Sequence, residues 1–138
     1  ATLGDRVWVD ANGDGAQGPP ALEPGLPFAA LTLVYAGRDG SFGTADDITT
    51  TTTADANGVY GFANLPAGLV RVSVATAGTN LTPTVDLDGT GTPNSATLTL
   101  AAGQARTDAD FGLVGTASLG ERVYLDQNRD GVRQPTEP

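Results

Sequence analysis

The chain has no cysteine, histidine, methionine or lysine, and all seven of its basic residues are arginine. Each absence removes chemistry. Without cysteine there is no disulfide staple, no thiolate nucleophile and no cysteine–zinc site. Without histidine the commonest general base and the commonest metal ligand are missing. Without lysine there is no Schiff base and no amine for a Lys–Asn isopeptide crosslink. A chain lacking methionine is expected to be a processed protein or a segment of a longer one. No apolar run approaches the ~18 residues needed to span a bilayer, and no signal peptide is evident. The charge is one-sided: 16 acids against 7 arginines, net −9. Nucleic acid and anionic membrane, which need a basic footprint, are poor partners.

What is present is glycine (19), proline (9) and aspartate, with 13 Asp against only 3 Glu. Asp is the residue of turns and of oxygen-ligand metal loops rather than of general solvated surface. Alternating apolar residues mark seven short segments: Leu3–Val9, Phe28–Tyr35, Ile48–Thr53, Val59–Phe62, Leu69–Ala75, Ala96–Leu100 and Arg106–Leu113. Each is bounded by Gly, Pro, Asn or Asp, and no window shows a helical period. The spacing predicts an all-β fold, an antiparallel immunoglobulin-like (prealbumin-like) β-sandwich of about seven strands.

The opening motif returns near the end. Thr2–Gly15 reads TLGDRVWVDANGDG and Ser118–Gly131 reads SLGERVYLDQNRDG, with eight of fourteen positions identical. A period this long indicates tandem whole domains rather than a solenoid. Residues 1–116 are expected to form one complete unit, and 117–138 the first strand and acidic loop of the next.

That acidic loop carries the sharpest chemical signal. Asp10, Asn12 and Asp14, followed by Gly15, place oxygen ligands at positions 1, 3 and 5 with glycine at 6, as in an EF-hand loop. The carbonyl of Ala16 stands at position 7. The second copy has Asp126, Asn128, Asp130 and Val132, with Glu137 at position 12, where a bidentate carboxylate belongs. In the first copy that position is Ala21, and Glu23 follows a two-residue insertion. An EF-hand would continue into a helix; here Pro24, Gly25 and Pro27 lead to a strand. The plainer alternative is an Asn-Gly/Asp-Gly turn, against which the duplication argues. Hard oxygen donors favour Ca²⁺, and the lack of imidazole and thiolate disfavours transition metals. Two further clusters, Asp39 with Asp46 and Asp47, and Asp86 and Asp88 with Asp108 and Asp110, are either ion sites or solvated turns. Together the loops point to about three or more Ca²⁺ ions. Asp55-Ala-Asn-Gly58 reads as a hairpin turn, and Trp8 and Tyr124 as packing anchors.

The segments Gly4–Gly15, Glu23–Leu26, Asp55–Gly68 and Arg106–Gly112 together resemble the SdrD B-like domain. This is the B-type repeat of bacterial serine-aspartate-repeat surface proteins, related to the collagen-adhesin B-type fold. The resemblance implies a non-catalytic, calcium-stabilised stalk or spacer module of a secreted or surface-exposed extracellular protein, with Asp10, Asn12, Asp14 and Glu23 as ligands. Gly40–Asp47 is similar to an acidic insertion of some members. Partners would be adjacent repeats of the same polypeptide or neighbouring subunits; any host ligand is unspecified. A rival reading is an adhesin or carbohydrate-binding module using Trp8, Tyr35, Phe42 or Tyr60; another is a filament subunit donating strand 118–125 to a neighbouring sheet. Enzymatic function is disfavoured: only carboxylates are available for acid–base work, and no nucleophile–base pair can be named.

Overall fold

The computed structural model describes residues 1–77 and 79–115. Among them are nine strands and no helix, in keeping with an immunoglobulin-like β-sandwich. In chain order these are β1 (Thr2–Leu3), β2 (Val7–Val9), β3 (Ala30–Tyr35), β4 (Ile48–Thr53), β5 (Gly68–Val74), β6 (Leu81–Val85), β7 (Ser95–Leu100), β8 (Ala105–Arg106) and β9 (Phe111–Gly115). A four-stranded antiparallel sheet runs β4-β3-β5-β7, a three-stranded sheet runs β2-β9-β6, and β1 pairs with β8.

Alternation places the core. Along β5, Val70, Val72 and Val74 are buried while Arg71 is exposed, and along β3 Leu31 and Leu33 are buried. They pack with Leu3, Val7, Phe111 and Leu113 from the N- and C-terminal strands. Each such side chain contributes roughly 1.5–3 kcal/mol when fully buried. Tyr60 and Phe62 meet edge-to-face, ring centroids 6.1 Å apart. The Tyr60 hydroxyl donates to the carbonyl of Ala109, and burial holds its pKa far above the ordinary 10.

Four details differ from the sequence expectation. Leu3–Val9 is interrupted at Gly4–Arg6 and Arg106–Leu113 at 107–110, so each forms two short strands. Val59–Phe62 makes only isolated bridges, Arg6 to Val59 and Leu3 to Phe62. The sheets are mixed: β1–β8 and β2–β9 are parallel, which chain ends joined by a long connection permit and a tight hairpin does not. Finally, β6 is an additional strand. Pro83 masked it, since a proline argues against a strand except at a sheet edge, and β6 is an edge with its register shifted after Pro83.

Candidate metal centre

β2 runs directly into the first acidic loop. The N–H of Asp10 donates to the carbonyl of Leu113 on β9 (2.9 Å), which anchors this residue to the sheet. Trp8 lies on the face opposite the core residue Val7 and covers Gly112, where any Cβ would fall 2.8 Å from the indole and from Val85. Gly112 is therefore confined to glycine by the approach of the two side chains.

The Asp10 carboxylate is fully buried, with 0% exposure. Its Oδ1 accepts the N–H groups of Gly13 (2.8 Å) and Asp14 (3.2 Å), and its Oδ2 accepts that of Gly15 (2.9 Å). Gly15 takes φ +74°, a left-handed turn that costs glycine nothing. Burial alone would raise the pKa of Asp10. The adjacent Thr84 hydroxyl and these three N–H donors outweigh burial and hold it below the ordinary 3.8. Thr84 Oγ1 stops short of hydrogen-bond geometry and is itself buried without a partner. Asn12 and Asp14 are clasped together: Asn12 Nδ2 donates to Asp14 Oδ2 (2.9 Å), and the Asp14 N–H donates to Asn12 Oδ1 (3.0 Å). The N–H of Ala16 donates to Asp14 Oδ1 (2.8 Å).

The insertion does deliver Glu23. Its carboxylate is 3% exposed; Oε2 accepts the Gly18 N–H, and Oε1 is buried with no partner. One carboxylate oxygen from each of Asp10, Asp14 and Glu23 lies within 4.8 Å of the others. No cation among the described residues pairs with them: the one ion pair there joins Arg106 to Asp108. Three converging carboxylates, with Oε1 of Glu23 unpaired in the interior, fit a Ca²⁺ ion, which takes six to eight oxygen ligands in flexible geometry.

The other clusters are placed differently. Among the described residues Asp10, Asp14 and Glu23 form the single three-carboxylate group, against an expectation of about three ions. Asp39, Asp46 and Asp47 are spent on their own loop. Asp46 accepts the N–H of Arg38 (2.6 Å) and the Thr44 hydroxyl (2.8 Å), Asp47 accepts the N–H of Gly43 (2.7 Å), and Asp39 accepts that of Ser41 (2.9 Å). Asp108 does not join Asp86 and Asp88. It is gripped at two points by the Arg106 guanidinium, both at 2.7 Å, which lowers its pKa. Asp88 accepts the N–H of Thr97 (2.8 Å) and the Thr92 hydroxyl (3.2 Å).

Asp86 remains. It is 6% exposed, neither carboxylate oxygen has a hydrogen-bond partner, and burial followed by the neighbouring charge of Asp88 raises its pKa. Asp55 caps a plain turn, accepting the N–H groups of Asn57 and Val59. The candidate sugar-stacking aromatics do not form a platform: Trp8 and Tyr60 are buried, the Tyr35 hydroxyl donates to the Ala67 carbonyl, and Phe42 stacks under the Arg71 guanidinium at 4.5 Å. Asp126, Asn128, Asp130, Val132 and Glu137 lie outside the described residues. Thr84 was not foreseen, because the strand carrying it was hidden by Pro83.

Comparison with known proteins agrees with the motifs. The chain is 35% identical over 141 aligned positions to serine-aspartate repeat-containing protein E of Staphylococcus aureus (strain MSSA476), covering 98% of this chain and 11% of that protein. The same identity and coverage hold for the bone sialoprotein-binding protein of Staphylococcus aureus (strain MRSA252). The chain thus spans about a tenth of the length of these relatives. Residues 1–113 match the family model of the SdrD B-like domain, and the chain belongs to that family.

Proposed function

We propose that this chain is a non-catalytic, calcium-stabilised structural repeat of a bacterial surface protein, serving as a stalk or spacer between other parts of a longer polypeptide. One observation carries the reading. The charged side chains buried among the described residues are Asp10, Glu23 and Asp86, all carboxylates, and none is paired with a cation among those residues. Asp10 is compensated by N–H donors, whereas one oxygen of Glu23 and both of Asp86 have none, and burying an ionised carboxylate without compensation costs several kcal/mol. A divalent ion at Asp10, Asn12, Asp14, Ala16 and Glu23 removes that penalty and ties the loop to β2 and β9. A further ion at Asp86 and Asp88 does the same beside β6. We do not extend an ion to Asp39, Asp46 and Asp47, none of which is among the buried carboxylates and each of which serves donors of its own loop. The recurrence of the motif at Asp126, Asn128, Asp130, Val132 and Glu137 supports a following repeat with its own ion. Membership of the SdrD B-like family, a repeat of bacterial surface proteins, supports a location on the outside of the cell, where millimolar calcium fills sites of about 10⁻⁴–10⁻³ M.

Because the ion binds the folded form, it stabilises by about 2.7 kcal/mol at a hundredfold excess over Kd. Thermal unfolding in calcium and in chelator tests the reading. The melting temperature is expected to fall on chelation, and Asp14→Ala, which removes one of the three converging carboxylates, to lose most of that difference. A wild-type melting temperature indifferent to calcium overturns it.

A further inference from the structure

The two larger sheets have four outer strands, and three of their outer edges carry something that hinders further strand pairing. β2 is strapped by the loop exit, where the Val9 N–H donates to the Pro24 carbonyl and the Leu26 N–H to that of Val7, with the Val7 N–H donating to Gly58. β6 carries Pro83, which has no N–H. On β7 the N–H of Thr97 is taken by Asp88. Proteins commonly protect sheet edges by such means.

β4 is the exception. The bond from the Ala54 N–H to the Ala29 carbonyl sets the phase of its ladder with β3. In an antiparallel ladder bonded and free residues alternate, so Ile48, Thr50 and Thr52 bond to β3, while the N–H and C=O groups of Thr49, Thr51 and Thr53 face outward. No partner meets these groups among the described residues. Immediately beside β4 is a cavity of about 260 Å³, lined by Leu33, Tyr35, Ile48, Thr50, Leu65 and Pro66. Ile48 is 59% exposed at its mouth. The strand is bracketed by Asp46 and Asp47 before it and Asp55 after it, none of them in an ion pair.

We infer that β4 is a docking edge for an extended peptide segment of another protein, one with an aliphatic side chain and basic residues at its ends. The segment adds a strand to β4, so that main-chain bonds to Thr49, Thr51 and Thr53 supply affinity. Its inward-facing side chains alternate with those bonds, and one enters the cavity beside Ile48 and Thr50; strand addition draws its specificity from such pockets. The acidic brackets select arginine or lysine at the peptide's ends. They also argue against a second copy of this chain, since antiparallel β4–β4 pairing sets Asp46 and Asp47 of one copy beside Asp55 of the other.

The probe is the capped peptide Arg-Thr-Leu-Thr-Val-Thr-Arg, labelled and titrated with the full 138-residue chain in calcium, followed by fluorescence anisotropy. Saturable binding is expected, weakened at least tenfold by replacing both arginines with glutamate. Thr51→Pro removes an outward N–H without touching the β3 ladder. It is expected to weaken binding at least tenfold at an unchanged melting temperature. Ala63 also lines this cavity, and Ala63→Leu, which adds bulk there, tests the site independently should the proline variant fail to fold, and is expected to weaken binding similarly. No binding at millimolar protein, or equal binding of the glutamate-flanked peptide, overturns the inference. So does equal binding by a folded Thr51→Pro or Ala63→Leu chain. A wild-type dimer in sedimentation that Thr51→Pro dissociates also overturns it, since the occupant would then be a second copy.

Discussion

The loops at 10–23 and 39–47 are alike in composition and opposite in construction. Both are rich in aspartate and glycine, and both place carboxylates a few residues apart. In the first, Asp10 and Glu23 are drawn into the interior against β2 and β9, and an oxygen of Glu23 has no donor. In the second, each carboxylate stays outside and caps N–H groups of its own turn. Acidic density alone therefore does not distinguish the two loops. What sets the first apart is a buried carboxylate with an oxygen left short of donors, and Asp86 shares that feature.

The comparison breaks most sharply at Asp10. Asp10→Ala leaves the N–H groups of Gly13 and Gly15 without their acceptor, while that of Asp14 keeps Asn12 Oδ1, at about 1–3 kcal/mol for each one that stays buried. The expected loss is about 3 kcal/mol or more even in chelator, with a melting temperature lower by at least roughly 10 °C for a domain of this size. A loss of only a degree or two in chelator would show that the carboxylate does not organise the loop.

Asp86 is expected to behave in the opposite sense. In chelator Asp86→Asn removes a buried, uncompensated charge, so the melting temperature rises by a few degrees, on the scale of about 1 kcal/mol. The same change shrinks the calcium-induced increment, so the two effects have opposite signs. A variant less stable than wild type in chelator would contradict this.

The pH profile in chelator separates the two carboxylates again. The pKa of Asp10 is lowered in the folded state, so its contribution is present above the unfolded value of 3.8 and lost as pH falls through the folded value. The pKa of Asp86 is raised, so it is neutral in the fold at low pH and penalises the fold as pH rises from 3.8 through its higher folded value. These two groups together favour the fold most near pH 3.8, and Asp86→Asn should flatten the decline above it. Calcium should flatten it as well, by compensating the same charge.

The smallest effect is expected at the outer loop. Asp46→Asn should leave the calcium-induced shift in melting temperature unchanged, because that carboxylate serves Thr44, Arg38 and Asp39 rather than an ion. A diminished calcium response would place an ion there after all.

Much of this was legible in the residues because it is local. The alternation of Leu69–Ala75 dictates which face of β5 is buried, and the spacing of Asp10, Asn12 and Asp14 dictates a loop whose oxygens converge. What was not legible is what depends on distant partners. The parallel pairing of Val7 with Phe111 joins residues about a hundred positions apart, and alternation reads the same whichever way a neighbour runs. Asp108 was grouped with Asp86 and Asp88 because spacing cannot reveal that Arg106, two residues away, claims it. Glu23 was harder to place because an insertion shifted it from position 12, and only the folded loop shows the insertion bulging out and the carboxylate returning. For the three aspartates at 39–47 both readings stood open, because composition does not distinguish a carboxylate that caps a turn from one left without donors.

The parallel pairing at the two ends of the domain has a mechanical consequence. β2 lies near the start of the described chain and β9 at its end, side by side and pointing the same way. Tension applied through the polypeptide drags the two strands past one another along their length. Their cross-strand bonds then share the load and must yield together, rather than opening one by one as in an unzipping hairpin. A module held in series within a longer chain is thereby built to resist stretching.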